Sequence, residues 1–297
     1  MHPVSNAHLF HAQPLEYSRQ CPLQITLVIN GIFNKEDDVK QSAEHLAKTF
    51  NLSRKATWYF HINNDLTKID FSKLTEGGFF SYMGRVMGVG LSETAQPDPE
   101  RLADDLVMFF QSGIKVDIHC HSQGSLVTRR ALERLQPQER QAITVTTYGA
   151  ISLIPYDLAS KVRNIVNLSD STAELGQRLL AYTYPQDDSI QQTKRARHWV
   201  EHASLCPQGV DQVLTSYHPF SASPALLEMC GIHLILPTIR VQNWTTKEDP
   251  TGHTFCQYIT ESALPPGPAT HRYGHVFATG LFTWVMICIA LAQQDQG

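Results

Sequence analysis

The residues with the clearest capacity for chemistry lie together in nine positions, Asp117-Ile118-His119-Cys120-His121-Ser122-Gln123-Gly124-Ser125. Ile114 to Cys120 reads as a β-strand and Ser125 to Leu135 as a helix, so Ser122 falls at the turn between them. A serine at such a turn has a strained backbone and lifts its hydroxyl above the sheet edge. Bulky side chains two residues before or after it would strike the neighbouring strand and helix. Both positions are small here, Cys120 and Gly124. A serine hydroxyl attacks poorly until a base removes its proton. The chemistry therefore needs a histidine, and a group to orient it, brought from elsewhere in the chain.

The elements that must do this alternate. Gln24 to Ile29 is a β-branched run stopped by Asn30-Gly31, the pattern of a buried parallel strand. Glu36 to Phe50 places Val39, Ala43, Leu46, Ala47 and Phe50 on one helical face. Strand Thr57 to Ile62 and helix Glu100 to Phe110 precede the serine segment. Strand Ala142 to Tyr148, a short helix near Pro155 to Lys161, strand Asn164 to Leu168 and strand His233 to Val241 follow it. The expected fold is α/β, a mainly parallel, doubly wound sheet with helices on both faces. Residues 1–22 form a polar lead-in, 23–270 the domain, and 271–297 an apolar C-terminal helix. Two insertions, at about 66–99 and 183–231, interrupt the alternation, and such excursions either roof a site or pack on the sheet edge.

In this context Cys120-His121-Ser122-Gln123-Gly124 resembles the nucleophile elbow of the α/β-hydrolase family, particularly its lipase- and esterase-like members. The resemblance runs in element order from about Ile25 to Tyr258, with its specific motifs in short segments; Cys120 departs from the usual glycine. It implies a serine hydrolase cleaving an ester through an acyl-enzyme, with partners in the chain order nucleophile, acid, histidine. Asp170, after the second strand beyond the serine, is the expected acid. Its other reading is an N-cap of the helix Thr172 to Leu180, with Asp187 and Asp188 in reserve. His253, in Gly252-His253-Thr254-Phe255-Cys256-Gln257-Tyr258, is the expected base and is similar to the family's His-x-Phe-x-x-Tyr entry to a last helix. His275 is its alternative, and His218 lies too early. The oxyanion donors implied are the backbone N–H groups of Gln123 and Ile32.

Other chemistries fit less well. A cysteine phosphatase loop on Cys120 needs an arginine six residues on, where Leu126 stands. His119 and His121 share a strand face but have no third metal ligand in sight, so no metal is expected. Gly84 to Gly90 lacks the lysine and preceding strand of a phosphate loop, and acyl transfer on serine requires no cofactor. With 24 basic and 28 acidic residues and a net charge of −4, the chain has no electrostatic footprint for nucleic acid. Six cysteines without C-x-x-C spacing, and an N-terminus without a basic segment leading into an apolar run, give a cytoplasmic expectation. The uncharged run 276–292 is either a helix buried on the sheet or a membrane-surface contact, and the apolar 79–91 segment either packs in the core or points to a hydrophobic substrate such as a lipid ester. A rival reading keeps the fold without the chemistry, as an interaction or membrane-associated module.

Overall fold

The computed structural model describes residues 8–11, 24–31, 36–52, 57–61, 98–204, 232, 234–246, 249 and 251–263. Their elements are β1 (His8–His11), β2 (Gln24–Ile29), α1 (Glu36–Thr49), β3 (Thr57–His61), α2 (Asp98–Gln111) and β4 (Lys115–His121). Then come α3 (Gln123–Arg134), the single turn α4 (Pro137–Arg140), β5 (Ile143–Tyr148), β6 (Lys161–Asn167), α5 (Ser171–Thr183), α6 (Asp188–Ser204), β7 (Ile239–Gln242) and α7 (Phe255–Ala263). The sheet order is β1-β3-β2-β4-β5-β6-β7. Every neighbouring pair is parallel except β1 with β3, which is antiparallel. This is the expected α/β class, a mainly parallel doubly wound sheet with helices on both faces.

Strand alternation explains how both faces are covered. Ile25, Leu27, Ile29, Val116, Ile118, Cys120, Ile143 and Val145 point to one side and pack with Leu102, Leu106 and Phe109 of α2 and Val127, Ala131 and Leu132 of α3. Val28, Tyr59, Tyr148 and Ile165 point to the other, against Val39, Ala43 and Leu46 of α1 and Phe255, Tyr258 and Ile259 of α7. Leu27, Val28 and Ile29 are fully buried, and burial of each such side chain contributes about 2 kcal/mol. A continuous apolar run is therefore what β2 requires, because neither face meets water.

The chain leaves β2 toward β3 on one side, then crosses back to β4 on the other. A crevice at the carboxyl ends of the strands forms at such a switch point. Ser122 directly follows β4 there, beside the end of β2, where Ile29 pairs with Cys120.

Several boundaries differ from expectation. The lead-in contributes β1, whose His8-Leu9-Phe10-His11 is too short and too mixed to stand out from its polar surroundings. The segment near Pro155 to Lys161 is a 3₁₀ turn over Tyr156–Leu158, and β6 starts at Lys161, earlier than Asn164. Lys161 and Arg163 are exposed and flank the single apolar Val162, so the start of the strand carries little apolar signal. The last strand is only Ile239–Gln242, because Leu236-Pro237-Thr238 forms a 3₁₀ turn, and a proline there has no N–H for a ladder. Within the insertion at 183–231, Ala196 and Val200 of α6 pack on Val166 and Ile239, so this part flanks the sheet. No helix among the described residues is long and apolar enough to cross a membrane. The 276–292 run, like most of the 66–99 insertion, lies outside the described residues.

Candidate active site

Ser122 has φ 51° and ψ −120°, a positive φ that a residue with a side chain adopts only under constraint. The constraint is visible. The Ser122 N–H donates to Tyr148 O at 3.1 Å, and Ser122 O accepts from the Ser125 hydroxyl at 2.6 Å and the Ser125 N–H at 3.1 Å. Helix α3 starts at the next residue, so its first turn of N–H groups and the positive end of its dipole lie at Ser122. Gly124 is required by contact: a Cβ there would lie 2.5 Å from Asn30 O and 2.9 Å from Ile29 O. Cys120 is a core residue on the α2/α3 side, and burial pushes its thiol up to about 12. It fills the place of the usual glycine as a small inert group.

Across from Ser122, the Nε2 of His253 lies 3.2 Å from the Ser122 Oγ, and its Nδ1 lies 2.8 Å and 3.0 Å from the two oxygens of Asp170. Asp170 is fully buried, and it both caps a helix and faces His253. Its Oδ1 accepts the Ala173 N–H at 2.8 Å, capping α5, while the carboxylate also receives His253. Burial raises its pKa, but the charge and hydrogen bond of His253, the Ala173 N–H and Arg197 outweigh that and hold it below the usual carboxylate value. Ionised Asp170 accepts the proton on Nδ1, leaving the Nε2 lone pair toward the serine. Asp187 is occupied otherwise, by Arg130 and by Ser189 at the start of α6.

Residues without a motif hold these three in place. Asn167, at the end of β6, donates through Nδ2 to Trp244 O at 2.9 Å and Gly252 O at 3.1 Å, and accepts from the N–H groups of Ser169 and Trp244. One buried amide thereby ties the Asp170 loop to the His253 loop. Asp249 accepts the Thr254 N–H at 2.7 Å and the Thr251 hydroxyl at 2.7 Å, which fixes the turn carrying His253. Gly149 has φ 53°, and a Cβ there would lie 2.8 Å from Asp170 Oδ2 and 3.2 Å from His253 Nδ1. None of these positions has a local signal: Asn167 and Gly149 act on residues distant in sequence, and Asp249 shapes a turn that no short pattern encodes.

His121, read from sequence only as an unsupported metal ligand, has a defined place. Its Nε2 donates to His253 O at 2.7 Å, and its ring stacks on Phe255 at 4.9 Å and 7°. His119, two residues earlier on the same face, bonds to Tyr148 and Asp117 instead. Among the described residues no cluster of three or more His, Cys, Asp or Glu could hold a metal ion. Burial, then the neighbouring His253, lowers the pKa of His121 from 6.5 to about 3. It thus adds no second positive charge beside His253.

That shift has a consequence for stability. Below its ordinary pKa, the unfolded chain takes up a proton on His121 that the folded protein refuses. This group therefore withdraws stability as pH falls from about 6.5 toward 3, by up to about 1.4 kcal/mol per pH unit. His121→Phe, which keeps the stack on Phe255, is expected to flatten the dependence of Tm on pH between about 6 and 4. An unchanged slope would show that His121 protonates as freely when folded.

The Ile32 N–H, His275 and His218 lie outside the described residues. Gln123 lies at the first position of α3, fully buried, next to Ser122.

The site thus belongs to a mainly parallel α/β protein with a serine, a histidine and an aspartate in one hydrogen-bonded chain at the carboxyl edge of its sheet. No protein-family model matches the chain, and no curated protein matches it. Among solved structures it is similar to a cutinase-like protein from Cryptococcus sp., at 13% identity over 52% of this chain and 70% of that one, with a TM-score of 0.28. It is also similar to a poly(3-hydroxybutyrate) depolymerase from Bordetella parapertussis, at 14% identity over 86% of this chain and 81% of that one, with a TM-score of 0.39.

Proposed function

We propose that the protein is a serine hydrolase that cleaves a carboxylic ester, of a lipid or other acyl group, through an acyl-enzyme. The observation that carries this reading is the unbroken chain from Ser122 Oγ through His253 to Asp170, 3.2 Å and then 2.8 Å long. His253 takes the serine proton as Oγ bonds to the acyl carbon, then gives it to the departing alcohol. Water, activated by the same imidazole, releases the acid. Asp170 keeps the tautomer and stabilises the imidazolium. The N–H of Gln123, at the start of α3, is one oxyanion donor in this proposal and the N–H of Ile32 the other. The lipid character of the substrate rests on the apolar segment at 79–91.

A fluorophosphonate probe tests the reading, because it phosphonylates only an activated serine. The expected result is labelling of the folded protein that Ser122→Ala abolishes without lowering Tm. Folded wild-type protein that takes no label would favour the non-catalytic module.

A further inference from the structure

Asp170 has one more partner than its proposed role needs. The Tyr258 hydroxyl donates to Asp170 Oδ2 at 2.8 Å, the oxygen that also faces His253 Nδ1. Tyr258 is fully buried on α7, one helical turn beyond the histidine loop. The direction of its proton is settled by a third group. The backbone N–H of Asn167 points at the phenol oxygen at 3.2 Å, and an amide N–H can only donate. The phenol oxygen accepts there, which leaves its proton for the carboxylate. The absent side chain of Gly149 completes the fit, since a Cβ would stand 3.0 Å from a Tyr258 ring carbon and 2.8 Å from Asp170 Oδ2. Burial, then the charge of Asp170, pushes the phenol well above its usual 10, so the proton stays on Tyr258.

We infer that Tyr258 is a positioning residue that shares the charge of Asp170 with His253, and so sets the pH below which His253 stops acting as a base. The inference rests on the proposed roles of Asp170 and His253. A carboxylate that already accepts a phenolic proton holds less charge for the imidazolium, so the imidazolium gives up its proton more readily. Removing the hydroxyl returns that charge to His253. The other groups facing the pair are Arg197 of α6, whose Nη2 donates to Asp170 O at 3.2 Å, His121 of β4, and Asp249 of the preceding turn. Tyr258→Phe leaves all three in place.

The test is the titration of the His253 ring, followed by NMR in the full chain labelled at histidine, with wild type and Tyr258→Phe compared. The midpoint is expected to rise by about one pH unit in the variant. Where the protein turns over an ester, the acid limb of kcat/KM moves by the same amount, with KM unchanged. A His253 midpoint that stays put in folded Tyr258→Phe overturns the inference. If that variant does not fold, 3-fluorotyrosine in place of Tyr258, a stronger donor, is expected to lower the midpoint, and no downward movement overturns it equally. The titration does not depend on turnover, so fluorophosphonate labelling of wild type reports separately on the hydrolase reading.

Discussion

Replacing Asp170 with asparagine is expected to lower kcat by about 10⁴-fold while the protein stays folded. The amide keeps an oxygen for the Ala173 N–H, so the cap of α5 survives. It also places an NH₂ group where the carboxylate now receives His253 and Tyr258. His253 then avoids a donor-to-donor clash by moving its proton to Nε2, the nitrogen 3.2 Å from the Ser122 hydroxyl. An Nε2 that already bears a proton cannot take one. Steady-state kinetics on a chromogenic ester, with Tm as the fold check, measure this. A loss of less than about tenfold would remove Asp170 from the mechanism.

Gly124→Ala should produce the largest loss of stability. The added methyl meets two backbone oxygens, Asn30 O at 2.5 Å and Ile29 O at 2.9 Å, and backbone has no rotamer through which to retreat. Either α3 or the end of β2 must shift, at a cost of about 3 kcal/mol or more. The control is Gly113→Ala, at φ 72° with nothing within 4 Å of the new Cβ. There only backbone strain acts, about 1 kcal/mol. Denaturant unfolding should rank the two variants in that order, and equal losses would contradict the packing argument. The same movement separates Gln123 from the end of β2, so Gly124→Ala should also lose activity in whatever fraction folds.

The serine segment was legible because its signal is local: a strand run, small residues on either side of Ser122, and a helix. The core was legible too: β2 is an apolar run because it is covered on both sides, and Val116, Ile118 and Cys120 of β4 alternate toward α2 and α3. Asp170 was ambiguous between cap and acid because the two roles ask for the same residue type at the same place, and the structure has it serve as a cap while it bonds His253. The pattern around His253 contained more than was drawn from it. Phe255 stacks on His121 and Tyr258 reaches Asp170, so two further letters of His-x-Phe-x-x-Tyr have contacts at the site.

Asn167, Asp249, Gly149 and Arg197 were invisible. Each acts across 21 or more residues of chain, or on a turn whose shape no local pattern encodes. Strand β1 was missed for a different reason. Four residues of an edge strand need only one covered face, and His8-Leu9-Phe10-His11 is too short for its periodicity to rise above a polar stretch.

In the proposed reaction Ser122 carries the acyl group between two half-reactions. Wild-type protein incubated with 4-nitrophenyl butyrate, quenched in acid during turnover, digested and analysed by tandem mass spectrometry tests this directly. The account expects a butyryl group on Ser122, absent from Ser122→Ala and from protein quenched after the ester is exhausted. Hydrolysis that proceeds with Ser122 unmodified, or with the acyl group on another residue, would contradict it.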